Sequence, residues 1–250
     1  MSAVLNGPVV DASPDEIVLR IPSVGRFVVR SDEPVAVERA PGTTDADVRC
    51  FMVGPVAAAE ALLRGAIPLH ASAVEIDGRA VVIAGPSGVG KSGAAAALAL
   101  RGHAVLADAV TLLEPRVPVH APRPVLWPDL VEDLDLDPSA GELVRPALPK
   151  RSFAVGTHSE GAPLGTIVLL RRDALCPAPE YTAISGAEKA GALIGLGWYR
   201  RLVGPLGLAA ARFARLSDLA ASTDCFELAR PRDRCSPRAV ADAIEELAAR

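Results

Sequence analysis

The stretch that decides the fold is LHASAVEIDGRAVVIAGPSGVGKSGAAAALALRGHAVLAD, residues 69–108. Two runs of β-branched and other apolar residues flank Asp77-Gly78, a dipeptide typical of two-residue hairpin turns. A glycine-rich segment follows the second run, and an alanine-rich segment that ends near Gly102 precedes a third apolar run. This order predicts strand, hairpin, strand, loop, helix and strand, which is typical of an α/β nucleotide-binding unit.

The glycine-rich segment GPSGVGKSG, residues 85–93, contains the pattern G-x-x-x-x-G-K-[ST]. Its glycines allow backbone conformations in which successive N–H groups point at phosphate oxygens, and the start of the following helix adds positive partial charge. We expect Lys91 to lie along the β- and γ-phosphates of a nucleotide and the Ser92 hydroxyl to be a Mg²⁺ ligand. A glycine-rich turn that caps an ordinary helix is the alternative. The predicted nucleotide-binding residues are Gly85, Pro86, Ser87, Gly88, Val89, Gly90, Lys91, Ser92 and Gly93.

Gly93 is unusual because it lies in the first turn of the predicted helix, where glycine is less favourable than alanine. Close approach of the backbone to a phosphate or a base would explain this glycine, and so would simple tolerance.

Asp108 ends the apolar run HAVLAD, which we predict to be the strand after the loop's helix. Ligands of doubly wound sheets lie beyond the carboxyl ends of the strands, so a carboxylate at this point can face the metal of the phosphate-binding loop. The alternative is an aspartate that turns the chain or caps a helix.

His70 becomes a candidate through the register of the hairpin. A two-residue turn at Asp77-Gly78 pairs Ile76 with Arg79, and the same register continued to the far end pairs His70 with Gly85. The imidazole would then lie at the mouth of the loop, within reach of a phosphate or an incoming hydroxyl. The alternative is a half-buried histidine that only packs at the end of a strand.

Residues 69–108 resemble the catalytic domain of HPr kinase/phosphorylase, and more closely the smaller bacterial kinases related to it. Some of those relatives are encoded beside peptide natural-product genes, including those of lasso peptides, and phosphorylate a serine of the precursor peptide. Weaker resemblance extends over most of the chain, in LRIPSVGRFVVR (19–30), VLWPDLVEDL (125–134), RPALPKRSF (145–153) and ISGAEKAGALI (184–194).

The resemblance implies a fold, cofactors and roles for individual residues. The fold is an α/β P-loop domain of the HPr-kinase C-terminal type, and the cofactors are ATP and Mg²⁺. The catalytic residues are His70, Lys91 and Asp108, and Ser92 and Asp108 bind the metal. The partner is a peptide or small protein that accepts the phosphoryl group, and the oligomeric state of the HPr kinases leaves a homo-oligomer open.

The chain departs from this family at Ala109. Where the family has two adjacent aspartates, this chain has Asp108-Ala109, and the second carboxylate is the one that the family uses to take the proton from the acceptor serine. Three outcomes stay open: a slow kinase, a kinase that uses Asp108 or His70 as the base, and a catalytically impaired ATP-binding protein with a regulatory or scaffolding role. Arg145, Lys150 and Arg151 are candidates for contacting phosphate, with a solvated basic strand edge as the alternative.

The rest of the chain divides at about residue 44. Residues 1–44 form a short β-rich segment with strands predicted within 17–38, and residues 45–250 form the P-loop domain. A helix over 45–64 should start or kink at Gly54-Pro55. Further strands are predicted near 152–156, 166–171 and 225–230, and further helices near 186–196, 206–221 and from about 237.

Composition narrows the class of protein. Half of the 250 residues are hydrophobic, which is enough to build a core, and the formal net charge of −4 argues against sequence-independent binding to nucleic acid. The four cysteines lack the spacing of a zinc site or a disulfide framework. Residues 1–16 lack the features of a signal peptide and no apolar run could span a bilayer, so we expect a cytoplasmic protein that does not bind membranes. Basic clusters at 198–202 and 229–234 could dock an acidic peptide or form solvated helix faces.

Overall fold

The computed structural model describes residues 9–232 and 235–249, which form a mixed α/β fold. The strands are β1 (Val10–Ser13), β2 (Glu16–Ile21), β3 (Gly25–Arg30), β4 (Ala36–Arg39), β5 (Pro68–Leu69), β6 (Ala71–Ile76), β7 (Arg79–Ala84), β8 (Ala104–Ala107), β9 (Thr111–Leu112), β10 (Arg116–Val117), β11 (Val125–Leu126), β12 (Glu142–Arg145), β13 (Leu148–Ser152), β14 (Ala162–Asp173), β15 (Glu180–Ala183) and β16 (Asp224–Pro231). The α-helices are α1 (Asp45–Phe51), α2 (Ala57–Leu63), α3 (Lys91–Ala99), α4 (Pro128–Asp133), α5 (Gly186–Gly195), α6 (Arg200–Val203), α7 (Ala209–Ser222) and α8 (Pro237–Ala248). A π-helix (Met52–Val56) and a 3₁₀-helix (Pro138–Ala140) are the other helical segments.

The central sheet brings the candidate residues to one edge. Its strand order is β15-β16-β14-β7-β6-β8, and β10 also pairs with β14. β7 is parallel to β14, which is parallel to β16, whereas β6 runs antiparallel to both β7 and β8. The carboxyl ends of β7, β8, β14 and β16 therefore share one edge with the start of β6, and ligands of α/β sheets bind at such an edge.

The β6–β7 hairpin has the predicted register, from Ile76 opposite Arg79 to Ala71 opposite Ala84. The ladder ends there, and the predicted pairing of His70 with Gly85 is wrong. The chain bends at His70 because the preceding strand, β5, leaves the central sheet and pairs with β9 in a two-stranded sheet. His70 thus lies at the bend, one residue before the ladder begins.

Alanine-rich α3 packs between the central sheet and α8. All six residues of the segment 94–99 are buried, and residues 94–98 belong to a core with Ile83 of β7, Val168 of β14 and Ile244 of α8. Small side chains allow close packing, which explains the run of alanines after the glycine-rich loop. The opposite face of the sheet packs against a second core that includes Leu193 of α5 and Leu216 of α7.

The helix predicted over 45–64 is interrupted where Gly54-Pro55 indicated. Thr44 caps α1 in a capping box with Asp47, and Gly54, in the π-helix, has non-helical backbone angles of φ −108° and ψ −106°. Proline lacks the N–H that continues a helical ladder, so the chain kinks before α2 resumes the helix.

The strands of the N-terminal segment form an antiparallel sheet in the order β1-β2-β3-β4. One face is buried against the kinked helix and α6, in a core that joins Phe27 and Val29 to Leu62 and Leu202. Residues 1–8, which include much of the stretch in which the sequence indicates no signal peptide, lie outside the described residues, and so do two residues of the 229–234 basic cluster.

The strand predicted near 152–156 is wrong in position. β13 ends at Ser152, after which Phe153 enters the core and Gly156 adopts a positive φ of 86° beside the backbone of His103. β13 is the central strand of a small sheet in the order β11-β13-β12. Within the described ranges, no helix combines the length and the apolar character needed to cross a bilayer.

Candidate functional site

A cleft of about 1280 Å³ opens at the carboxyl edge of the central sheet. Most of the predicted site residues line this cleft, namely His70, Ser87, Gly88, Gly90, Lys91, Ser92, Gly93 and Asp108. Gly85, Pro86 and Val89 do not line it. The structure therefore brings together residues from the loop after β7, the start of α3, the residue after β8 and the bend before β6.

The backbone of the 85–92 loop requires glycine at three positions. Gly85, Gly88 and Gly90 have φ angles of 146°, 76° and 110°, where L-residues are rarely found. A Cβ atom on Gly85 would lie 2.3 Å from the carbonyl oxygen of Leu170, on the neighbouring strand β14. No side chain caps the start of α3, so the N–H groups of its first turn point into a position suited to an anion.

Gly93 has a packing reason that the sequence did not suggest. A Cβ atom at this position would lie 3.2 Å from Leu130 of α4 and 3.5 Å from Pro237 of α8. The distance to Leu130 is tighter than most Cβ contacts, so glycine lets α4 approach the first turn of α3, whereas the distance to Pro237 is an ordinary contact.

Lys91 is a buried cation held by neutral groups. Its side chain is 6% exposed, and its Nζ donates hydrogen bonds of 3.0 Å to the carbonyl oxygens of Gly85 and Pro86. Burial lowers the pKa of Lys91 to about 8; Asp108 acts in the opposite direction and Lys150 in the same direction. No carboxylate among the described residues forms an ion pair with Lys91, so a bound anion would be a favourable partner.

Asp108 joins three elements through its carboxylate. Its Oδ1 accepts hydrogen bonds from Ser72 Oγ of β6, at 2.5 Å, and from Ser92 Oγ of α3, at 2.9 Å. Its Oδ2 accepts one from the backbone N–H of Val125 in β11, at 2.9 Å. Burial raises the pKa of Asp108, and these hydrogen bonds oppose that shift. Since the protein itself occupies much of its acceptor capacity, Asp108 is better suited to orienting Ser92 than to taking a proton from a substrate.

Ser72 is a residue that the sequence analysis missed. It is fully buried in β6, where every other residue except Glu75 is apolar. A lone hydroxyl within a buried strand needs a polar partner, and this requirement was the signal that could have identified it.

The oxygen atoms of Ser92 and Asp108 fit the Mg²⁺ that the resemblance implies. A hydroxyl oxygen and a carboxylate oxygen lie 2.9 Å apart next to the 85–92 loop, and Mg²⁺ is usually bound by one or two carboxylates together with substrate phosphates. Within the described residues no group of three His, Cys, Asp or Glu side chains could hold a metal by itself. The donor set thus suits a metal that arrives with a nucleotide.

His70 faces the cleft as a neutral imidazole. Its ring packs against Trp198, with the ring centroids 5.4 Å apart. Burial, followed by the positive charges of Lys91 and Lys150, lowers the pKa of His70 to about 4. At neutral pH the imidazole is therefore uncharged, and one of its ring nitrogens is a hydrogen-bond acceptor.

Ala109 lines the cleft in a left-handed backbone conformation, with a φ of 72°. Aspartate and asparagine adopt this conformation more readily than alanine. The backbone at this position would therefore accept the aspartate that the resemblance leads one to expect.

Two arginines that the sequence analysis did not assign to the site brace the 85–92 loop. Arg230 of β16 donates from Nε to the carbonyl oxygen of Val89 at 2.8 Å, and Arg172 of β14 donates from Nη2 to that of Gly88 at 2.5 Å. Both line the cleft, and Arg230 is buried. Arg230 is buried in β16, so the interpretation of the 229–234 cluster as a solvated helix face is wrong for this residue. Its place at the carboxyl end of a parallel strand emerges only from the sheet order.

Of the three basic residues proposed to contact phosphate, the structure brings only Lys150 to the cleft. Arg145 pairs with Asp47 at 3.3 Å and lies over the ring of Phe51, and Arg151 donates to the carbonyl oxygen of Gly141 at 2.6 Å. Side chains of α1 hold Arg145, and a backbone carbonyl oxygen just before β12 holds Arg151, so neither arginine lines the cleft.

Comparisons with known proteins give one type of match. No family model matches the chain, and no curated protein matches it. Among solved structures, the chain is similar to the HPr(Ser) kinase/phosphatase from Coxiella burnetii, with 14% sequence identity and a TM-score of 0.33. That match covers 72% of this chain and 92% of the other.

Proposed function

We propose that this protein is an ATP- and Mg²⁺-dependent kinase that phosphorylates a hydroxyl group, serine in the first instance, of a peptide or small protein. One observation carries the proposal. A buried lysine without a carboxylate partner lies at the uncapped start of α3, beside the hydrogen-bonded oxygens of Ser92 and Asp108. This arrangement offers positive charge to the phosphates and oxygen ligands to a cation.

Different residues of the cleft would have different roles in phosphoryl transfer. Lys91 and the N–H groups at the start of α3 would hold the phosphates, and Ser92 with Asp108 would hold the metal, which neutralises phosphate charge when bound. Phosphoryl transfer depends mainly on positioning and charge stabilisation, so these residues supply most of the requirement. Arg172 and Arg230 keep the loop in shape through their hydrogen bonds to its carbonyl oxygens.

His70 is our candidate for the base that takes the proton of the acceptor hydroxyl. Asp108 is occupied by hydrogen bonds from the protein, whereas the imidazole of His70 is neutral and faces the cleft. Its pKa of about 4 is close to that of an ordinary aspartate, so its basicity resembles that of the carboxylate absent from position 109.

Incubation with Mg·ATP and candidate acceptors, followed by intact-mass analysis, tests the kinase directly. We expect an increment of one phosphoryl group on a serine-containing peptide or small protein. Lys91→Ala should abolish the transfer because it removes the buried cation. Transfer that survives this change would place the active site elsewhere, and absence of transfer to any acceptor while ATP still binds would argue against a kinase.

Ala109 favours a second candidate function, a catalytically impaired ATP-binding protein that acts as a regulatory or scaffolding subunit. The test is Ala109→Asp, which the left-handed backbone should accommodate. A gain in phosphorylation of about 10²-fold or more would indicate a site that lacks only its base. Robust activity of the unaltered protein with no gain in the variant would exclude this second function.

A further inference from the structure

Three large apolar side chains that line the cleft are exposed. Val53 is 50% exposed, Trp127 42% and Leu143 43%, and they come from the π-helix, the residue before α4, and β12. All three line the same cleft as Lys91. We call Val53, Trp127 and Leu143, with the cations Arg49 and Lys150, the outer wall. Apolar side chains that converge from separate elements on one cleft are typical of a binding surface.

The outer wall begins next to the candidate catalytic residues. Val125, two residues before Trp127, donates its N–H to Asp108. The ammonium group of Lys150 lies over the ring of Trp127, 4.7 Å from its centroid, and its charge reaches both His70 and Lys91. The wall is therefore on the β6 and β8 side of the loop, whereas Arg172 and Arg230 approach the loop from β14 and β16. An acceptor on this wall would reach the bound phosphates beside His70.

The charges on the wall indicate the chemistry of its occupant. Arg49, one helical turn before Val53, forms no ion pair among the described residues, and neither does Lys150. At the same cleft Glu142 pairs with Arg123, whereas Asp129 and Asp133 form no ion pair among the described residues and oppose a polyanion such as a nucleic acid. The complementary ligand is a chain with an apolar side chain and an isolated acidic group.

We propose that the outer wall docks the acceptor peptide and selects an apolar residue and an acidic residue near the phosphorylated hydroxyl. The apolar side chain packs on Trp127, Leu143 and Val53, and the carboxylate pairs with Arg49. This inference rests on the proposed function, because it describes the substrate of that same site.

A serine-centred positional-scanning peptide library with γ-labelled ATP tests the selection. We expect enrichment of aromatic or aliphatic residues at one position and of Asp or Glu at a second. Trp127→Ala should reduce the apolar preference about tenfold or more, Trp127→Phe should retain it, and Arg49→Glu should replace the acidic preference by a basic one. Leu175→Ser and Arg201→Glu, at residues that do not line the cleft, are the matched controls and should leave both preferences unchanged.

Three results would overturn the inference. The first is phosphorylation of the library with no preference for particular residues, and the second is a preference that is unchanged in both Trp127→Ala and Arg49→Glu. The third is weaker binding of a fluorescent ATP analogue by Trp127→Ala than by the unaltered protein. The last would assign the wall to the nucleotide. A binding measurement distinguishes failure of this inference from failure of the proposed kinase function. It uses fluorescein-labelled peptide pools that contain apolar and acidic residues, in the presence of a non-hydrolysable ATP analogue. Peptide binding that depends on Trp127, without phosphoryl transfer, would contradict the kinase function and support the docking surface. Absence of peptide binding would contradict the docking surface.

Discussion

At the scale of single residues, the hydrogen bonds of Asp108 decide which groups can do chemistry. Ser72, Ser92 and the N–H of Val125 fix its carboxylate at the edge of the sheet. These hydrogen bonds orient the carboxylate and occupy much of its acceptor capacity, which is why we propose His70 rather than Asp108 as the proton acceptor. Two predictions belong to this scale.

Ser72→Ala should destabilise the fold and weaken Mg²⁺-dependent binding of nucleotide. The variant leaves a buried carboxylate with one donor fewer, which costs about 1–3 kcal/mol in free energy of unfolding. Urea unfolding and titration of a fluorescent ATP analogue at several Mg²⁺ concentrations measure the two effects. Ser217→Ala is the control, because that hydroxyl donates only to a carbonyl oxygen on its own helix. Equal stability and Mg²⁺ dependence of the two variants would contradict a positioning role for Ser72.

His70 should make the fold less stable at acidic pH. Its pKa is lowered to about 4 in the folded protein, whereas an unfolded histidine titrates near pH 6.5, so the unfolded state binds the proton first as the pH falls. The free energy of unfolding therefore contains a contribution from neutral His70 that is fully present above about pH 6.5 and is lost as the pH falls towards 4. Because the side chain is partly exposed to solvent, we expect this loss to be about 1 kcal/mol. Urea unfolding at pH 7.5 and pH 5 should show a smaller decrease for His70→Asn than for the unaltered protein. An identical decrease would mean that this histidine is not desolvated.

At the scale of elements, the 85–92 loop is fitted between neighbouring strands. β14 approaches Gly85 so closely that its backbone leaves no space for a side chain, and the arginines at the ends of β14 and β16 hold the carbonyl oxygens of Gly88 and Val89. The shape of the loop therefore depends on strands that are distant in sequence.

Gly85→Ala should destabilise the protein much more than Gly88→Ala. Both glycines have positive φ, but a Cβ atom at Gly85 would meet the Leu170 carbonyl at 2.3 Å, whereas nothing lies within 4 Å of one at Gly88. Gly88→Ala should cost only the left-handed strain of about 1–2 kcal/mol, and Gly85→Ala should cost that strain and the separation of β7 from β14. Thermal unfolding of the two variants measures the difference, and similar midpoints would show that the two strands can move apart without loss of stability.

At the scale of the whole molecule, the N-terminal sheet shares a hydrophobic core with the kinked helix and α6. That helix also carries Val53 and Arg49 to the cleft, so the packing of the sheet and the shape of the outer wall are connected. A boundary near residue 44 stays a prediction. α1 and the π-helix pack in the core of the N-terminal sheet and also line the cleft.

Phe27→Ala should lower the free energy of unfolding by about 3–5 kcal/mol, the usual cost of removing a buried phenylalanine. Phe27 is fully buried at the centre of the shared core. Phe213→Ala is the matched control, because the 59% exposed ring of Phe213 should contribute within about 0.5 kcal/mol. Equal losses in urea unfolding would show that the N-terminal sheet adds little to the stability of the whole.

The sequence by itself determined those structural features that depend on residues close to one another in the chain. The turn at Asp77-Gly78, the hairpin register, the glycine-rich loop before α3, the strand that ends at Asp108 and the kink at Gly54-Pro55 follow from local backbone preferences, and the structure has all of them. Local preference was insufficient at His70, where the distant strand β9 draws β5 away from the hairpin.

Only the tertiary structure decided which distant side chains share the cleft. Arg172, Arg230 and the outer wall come from segments whose order in the sheet and whose packing have no signature in local periodicity. Their meeting depends on strand order, on the direction of each strand and on long-range packing. The stretch at 69–108 thus predicted a loop suited to phosphate, whereas the fold as a whole decided that Asp108 accepts hydrogen bonds within the protein and that His70 lines the cleft beside Trp198.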